Sequence, residues 1–239
     1  VPPGLNNTFA ILDFLSWCAT GEQTGAGFRY ERVAGGEIRE WTPDSKRKSY
    51  AEFFSGIGAF VFTIGLAEVW QDKDTGGVFW RGIPDEIFDA NRHVFRLTTV
   101  DENARNLTRM IEIIRTLNPT APIVLTLSPV PLMATFRDIS CLTADCVSKS
   151  VLRVALDQVM SAKPANVYYW PSFEIVKWVG ANLPWASYGR KGEARAIDRP
   201  LVQLIMDEFI EAFYTPEARA GIRARVATVP DDSAEDGED

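Results

Sequence analysis

The sequence predicts an α/β fold, a three-layer α/β/α sandwich around a mostly parallel, doubly wound sheet. Three observations predict it. Ala59–Ile64 (AFVFTI), Ile123–Leu127 (IVLTL) and Asn166–Trp170 (NVYYW) are short apolar or aromatic runs, as expected of strands buried on both faces. Helical patterns alternate with them, which calls for right-handed βαβ crossovers. Each run also ends in Gly, Ser or Pro, the residues that turn a strand toward a helix.

The elements follow in order. Thr8 to Ala19 carries Phe9, Leu12, Leu15 and Ala19 on one helical face, with Asn6 and Asn7 as N-cap candidates. The Gly- and charge-rich stretch from Gly21 to Lys48 reads as loops and a hairpin turning at Gly35-Gly36. A short helix over Ser49–Ser55 leads to the first core strand, and Gly76-Gly77 with Val78–Ile83 reads as a second hairpin. Thr99 and Glu102 form a capping box before a helix to Leu117, which Asn118-Pro119 stops. Helices over Val147–Ser161, Leu201–Tyr214 and Pro216–Val226 complete the pattern. Three core strands make a small sheet, since five or so are usual, so a first strand is expected upstream of Val1. The chain opens Val1-Pro2-Pro3 without a Met, in keeping with that expectation. Residues 1–228 are read as one domain and 229–239 as a disordered acidic tail.

Charge excludes some functions. The last nine residues, Asp231 to Asp239, hold six carboxylates and no base, so most of the net charge of −7 is local. The body is nearly neutral and lacks the basic face that nucleic acid requires. The tail reads as a solvated segment and a candidate docking segment for a protein partner. No apolar run approaches the ~18–20 residues of a membrane span. Cys18, Cys141 and Cys146 are odd in number, and Cys141/Cys146 has no second pair or nearby His, so neither a disulfide framework nor a zinc site is expected. A reducing compartment follows, and no cofactor is implied.

In an open α/β sheet, ligands bind beyond the carboxyl ends of the strands. Here those ends deliver Gly65-Leu66-Ala67-Glu68, Ser128, and Ser172 with Glu174. Each is also an ordinary helix-capping residue, so it is their convergence that marks a candidate site.

The same residues carry a family resemblance. Thr63-Ile64-Gly65-Leu66-Ala67-Glu68-Val69-Trp70 resembles the T-x-G-L-T-E-x-W segment of the GSCFA family, relatives of the SGNH ester hydrolases. Leu125 to Leu132, with Ala134-Thr135-Phe136, is similar to its T-V-S-P-V-P stretch. Ser148-Lys149-Ser150-Val151-Leu152-Arg153 matches S-K-S-x-L-R, and Trp170 to Ile175 resembles F-P-S-Y-E-I. With Leu5-Asn6-Asn7-Thr8-Phe9, the resemblance covers about residues 5 to 214.

The resemblance implies an SGNH-like, flavodoxin-like sandwich in a bacterial cytoplasm. It also implies hydrolysis or transfer of an O-acyl ester on a carbohydrate or polysaccharide. In that chemistry a serine attacks the acyl carbon, a late His oriented by an Asp is the base, and N–H groups hold the oxyanion. Gly65 could give its N–H, while Ala67, where the family tends to carry Thr, offers no side-chain donor. The Gly-Ser-Cys-Phe-Ala motif that names the family and carries the nucleophile does not occur in these residues. The late acid–base region reads Ala196-Ile197-Asp198-Arg199-Pro200 and has no His. An Arg stays protonated and cannot replace a general base. The single histidine, His93, lies too early for that role and reads as structural.

Gly65, Glu68, Ser128, Ser172, Glu174, Asp198 and Arg199 are therefore pocket or oxyanion-site candidates without a complete catalytic set. Two functions stay open: a GSCFA-type esterase or acyltransferase impaired as written, or an inactive descendant that binds glycan or serves an assembly.

Overall fold

A computed structural model describes residues 5–21, 30–32, 37–40, 44–80, 82–189 and 194–226. The Gly35-Gly36 turn and the acidic tail lie outside them. The chain divides into two compact units, Val1–Lys177 and Trp178–Asp239.

In the first unit, α1 (Thr8–Thr20) starts where Asn7 Oδ1 accepts the Ala10 N–H at 2.9 Å. It ends at Gly21, whose φ of 79° glycine alone adopts without penalty. Of the expected stripe of Phe9, Leu12, Leu15 and Ala19, Leu15 alone is fully buried. Ala10, Ile11, Phe14, Trp17 and Cys18 are buried with it, because α1 is held between α2 (Asp44–Gly56) and α3 (Val100–Leu117). A helix covered on two sides needs no single stripe. Phe14 packs edge-on against Tyr50, Phe54 and Trp80 at 5.3–6.1 Å between ring centres. A backbone pair, β1 (Tyr30–Arg32) with β2 (Ile38–Glu40), supplies the expected hairpin strands.

The central sheet is parallel, in the order β3 (Phe60–Ile64), β6 (Ile123–Leu127), β7 (Val167–Trp170). With its seven helices among the described residues, this α/β arrangement is compatible with a three-layer α/β/α sandwich. Every residue of β6 is buried, as its sequence requires. β3 departs from expectation: Val61 is 53% exposed and Thr63 is exposed too, because β3 is the outermost strand of this sheet among the described residues.

Between β3 and α3 runs an antiparallel pair, β4 (Glu68–Asp72) with β5 (His93–Leu97), in register from Glu68↔Leu97 to Asp72↔His93. Val78 bridges to Gln71, so the hairpin expected around Val78 is a side branch of this wider one.

α3 carries the full Thr99–Glu102 capping box and buries Asn103, Leu107, Met110, Ile111 and Ile114 along one face. Asn118 ends it, donating from Nδ2 to the Phe54 and Ile57 carbonyls at the end of α2. α4 (Cys141–Ser161) starts six residues earlier than its hydrophobic pattern suggests, because Ser140 caps the Thr143 N–H at 3.1 Å. After β7 the chain makes one helical turn, α5 (Ser172–Glu174). In the second unit, α6 (Arg199–Phe213) and α7 (Pro216–Val226) match their expected bounds within two residues.

Candidate functional site

The turn leaving β3 is held by three separate parts of the first unit. The Gly65 and Leu66 N–H groups both donate to the Asn6 carbonyl, at 2.7 and 3.0 Å. Lys149 Nζ donates to the Gly65 carbonyl at 2.8 Å, and the Ala67 N–H donates to Ser148 Oγ at 2.9 Å. The Ala67 carbonyl accepts from both the Thr98 N–H and Thr98 Oγ1, at 2.7 and 2.8 Å. Behind Thr98, Asn103 Nδ2 donates to its hydroxyl, and Thr8 Oγ1 donates to Asn103 Oδ1. Thr8, Thr98, Asn103, Ser148 and Lys149 are all buried. Buried polar groups persist only when bonded, and a network satisfied this fully makes a rigid turn.

This geometry assigns Gly65 differently from the sequence reading. Its N–H is already spent on Asn6 and is not presented to an oxyanion. A Cβ at position 65 would meet the Asn6 carbonyl oxygen at 3.5 Å and Ser128 Cβ at 3.6 Å, so Gly65 and Ser128 adjoin. Ser128 continues the sheet, its N–H donating to the Ile64 carbonyl at 2.8 Å, while its Oγ accepts the Val130 N–H at 3.3 Å.

Glu68 is buried where β4 begins. Its carboxylate accepts from Thr135 Oγ1 at 2.8 Å and from Arg137 at 3.2 Å. Glu68 therefore fastens the Ser-Pro-Val-Pro loop after β6 back onto the first strand's exit.

At β7, Ser172 Oγ donates to the Leu127 carbonyl at 3.0 Å and lies 2.6 Å from Thr126 Oγ1, tying the ends of two strands together. The Glu174 carboxylate takes Arg153 Nε at 2.7 Å and the Tyr169 hydroxyl at 2.8 Å. The Arg153 guanidinium lies 4.7 Å over the Tyr169 ring. Burial, and then the Glu174 carboxylate that its hydroxyl bonds, push the Tyr169 phenol well above its usual range.

Asp198 and Arg199 belong to the second unit. Asp198 is buried, and its carbonyl accepts the Leu201 and Val202 N–H groups that open α6. Arg199 is the first, exposed residue of that helix. The structure thus brings Gly65, Glu68 and Ser128 around one turn, places Ser172 with Glu174 at the end of β7, and gives Asp198 and Arg199 a place at the start of α6.

His93 is buried in β5, where Nδ1 accepts the Asp89 N–H at 3.0 Å and the ring stands edge-on to Phe79. Among the described residues no serine bonds to a histidine, and no group of three His, Cys, Asp or Glu side chains is placed to hold a metal. Cys18, Cys141 and Cys146 form no disulfide among the described residues. No helix among the described residues is long and apolar enough to cross a membrane.

These clamps give the sequence motifs physical roles. In Ser148-Lys149-Ser150-Val151-Leu152-Arg153, the first two residues hold the exit of β3 and the last holds Glu174 beyond β7. A sequence model of the GSCFA family matches residues 40–209, from the end of β2 into α6. The chain belongs to the GSCFA family. No curated protein matches it in sequence. In this GSCFA chain, sequence reasoning passed over the roles of Asn6, Thr98, Asn103, Thr135, Arg137 and Lys149. Asn103 left a signal as a polar residue on the apolar face of α3, and Thr135 and Lys149 left one by lying inside the quoted motifs.

Proposed function

We propose that this GSCFA domain acts on acylated carbohydrate, hydrolysing or transferring an O-acyl ester, and that these residues build the floor of its site. The nucleophile and the base come from elsewhere than Ser128, Ser172 and His93. The observation that supports this is the clamped Gly65–Glu68 turn beside Ser128. An acyl-transfer site needs its donors and walls fixed before charge develops on the ester oxygen, and rigidity of this kind at a sheet's carboxyl edge supplies that. In this role Glu68 holds the Ser-Pro-Val-Pro loop as one wall, Ser128 and Gly65 form the floor, and Ser172 with Glu174 borders it. The setting is a bacterial cytoplasm, where cysteine thiols stay reduced.

A second reading is favoured by one observation: the chain's single histidine is buried in β5 and committed to the Asp89 N–H. On that reading the protein is an inactive relative that binds glycan or serves an assembly, with residues 229–239 as a docking segment for a protein partner.

Fluorophosphonate labelling of the protein from its native source, with the modified peptide mapped by mass spectrometry, tests both readings. A labelled serine other than Ser128 and Ser172, together with turnover of a p-nitrophenyl ester, supports the first. Retained binding of acylated polysaccharide without any labelling supports the second and removes the first. Labelling at Ser128 itself overturns the roles assigned here.

A further inference from the structure

The loop between β6 and α4 carries exposed apolar side chains on a backbone that is tied down. At its start the Val130 N–H donates to Ser128 Oγ at 3.3 Å. The Leu132 N–H donates to Asp145 Oδ1 at 2.9 Å, and the Cys141 thiol donates to the Leu132 carbonyl at 3.6 Å. Asp145 is buried on α4, one turn before the Ser148 and Lys149 that hold the exit of β3. Glu68 then takes Thr135 and Arg137, the residues on either side of Phe136. Trp70 and Phe95 are register partners across β4 and β5, and the Phe136 ring centre lies 5.1 Å from each of theirs.

Between these ties the loop turns apolar groups to water. Met133 is 79% exposed, Phe136 is 69% exposed, and Val130 is exposed as well. Fastening the loop to the hairpin accounts for one face of the Phe136 ring and leaves the rest of it in solvent. Two buried carboxylates fix the backbone, so these side chains cannot fold inward together to escape water. Apolar surface held out in this way is favourable to cover and marks a binding surface.

The place of the loop narrows the ligand. Val130 is bonded to Ser128, and Ser128 adjoins Gly65 at the floor of the proposed site, so the apolar rim begins at the reacting end and leads outward. Ser128–Ala134 contains no charged residue, and Arg137, the first base after it, is paired with Glu68. An anionic membrane surface calls instead for a cluster of bases. We propose that this loop is the acyl-chain wall of the site, and that Val130, Met133 and Phe136 select an ester whose acyl group is an aliphatic chain of several carbons over an acetyl ester. The proposal rests on the reading of the site as an acyl-ester site. With the ester carbonyl above Ser128, the chain lies along the loop, and each methylene laid there removes apolar area of both partners from water. An acetyl group ends at the floor and gains little from the loop.

Methyl-labelled methionine NMR of the full chain tests the wall, with octanoyl glucose and acetyl glucose as the probes. The chain has four methionines; Met110 is buried in the core, and Met206, exposed like Met133, belongs to the second unit and serves as the control. The expected result is a shift of the Met133 methyl with octanoyl glucose while Met206 stays in place, and binding about tenfold tighter than that of acetyl glucose. Met133→Ser changes an exposed side chain, so the fold is kept, and it lowers that preference to about threefold or less. Equal affinity for the two esters overturns the proposal. So does a shift at Met206 as large as that at Met133, or a tenfold preference that survives Met133→Ser. A Met133 shift that grows with protein concentration alone assigns the face to a second copy, and a shift with phosphatidylcholine vesicles but not with the monomeric ester assigns it to a membrane; either overturns the proposal too. Hydrolysis of both esters, followed in parallel, separates the wall from the reading it rests on. Turnover without a chain preference removes the wall and keeps the acyl-ester reading, whereas a chain preference in binding without turnover of either ester removes that reading and keeps the wall as an alkyl-chain site.

Discussion

Ser148→Ala isolates what the buried clamps contribute. Ser148 is fully buried on α4, and its Oγ is the acceptor for the Ala67 N–H at 2.9 Å. The substitution leaves that N–H buried without a partner, which costs about 1–3 kcal/mol. Alanine favours the helix over serine by about 0.5 kcal/mol, which offsets part of the loss. The net expected destabilisation is about 0.5–2.5 kcal/mol. For a chain of this size it lowers Tm by roughly 1–10 °C, at ~2–4 °C per kcal/mol. Ser150→Ala in the same motif is the control. Ser150 is exposed and bonds only the Cys146 carbonyl one turn back, so its loss stays within about 0.5 kcal/mol. Urea unfolding of both variants gives the energies, and exchange of the Ala67 amide gives the location. If Ser148→Ala unfolds like Ser150→Ala, or leaves Ala67 as protected as before, the turn is not held by this clamp and the rigidity argument fails.

Three other outcomes are expected. Glu68→Ala frees Arg137 and Thr135, costing about 1–3 kcal/mol, and limited trypsin digestion then cuts after Arg137 faster than in the parent chain. Gly65→Ala places a methyl at ordinary contact distance from Asn6 and Ser128, so stability in urea changes by less than about 1 kcal/mol while any ligand that enters above Ser128 binds more weakly in calorimetry. Acid is expected to destabilise the first unit through Asp72 and Glu102. Burial opposes ionisation at both. The Thr75 and Asp74 N–H groups with Arg92 outweigh it at Asp72, and Arg96 with the Thr99 N–H at Glu102, so both carboxyls sit below their usual range. Their stabilisation is present above the unfolded value of about 4 and is lost as pH falls through the lower folded values. Urea midpoints of the parent chain should therefore drop from about pH 4 downward, and those of an Asp72→Asn, Glu102→Gln double variant should drop less.

Much of the fold was legible because it is written in local periodicity. Ile123–Leu127 is five apolar residues in a row and is buried throughout, and Thr99 with Glu102 announces α3 through groups three residues apart. The start of α4 was hidden, since Ser140 caps a first turn of Cys141, Leu142 and Thr143 that has no apolar stripe. β4 and β5 were hidden as well, because a strand such as Glu68–Asp72 becomes one only when His93–Leu97 arrives beside it. The candidate site divides in the same way. The positions of Gly65, Ser128 and Ser172 at strand ends follow from reading three strands, and so does the absence of a late histidine. That the Gly65 N–H is taken, that Lys149 reaches a carbonyl 84 residues away, and that Val61 faces outward could be decided only by tertiary structure. Helix caps and apolar runs are satisfied by neighbours along the chain, so sequence by itself determines them. Which buried polar group finds which partner, and which strand is left at the edge, depends on how distant segments pack.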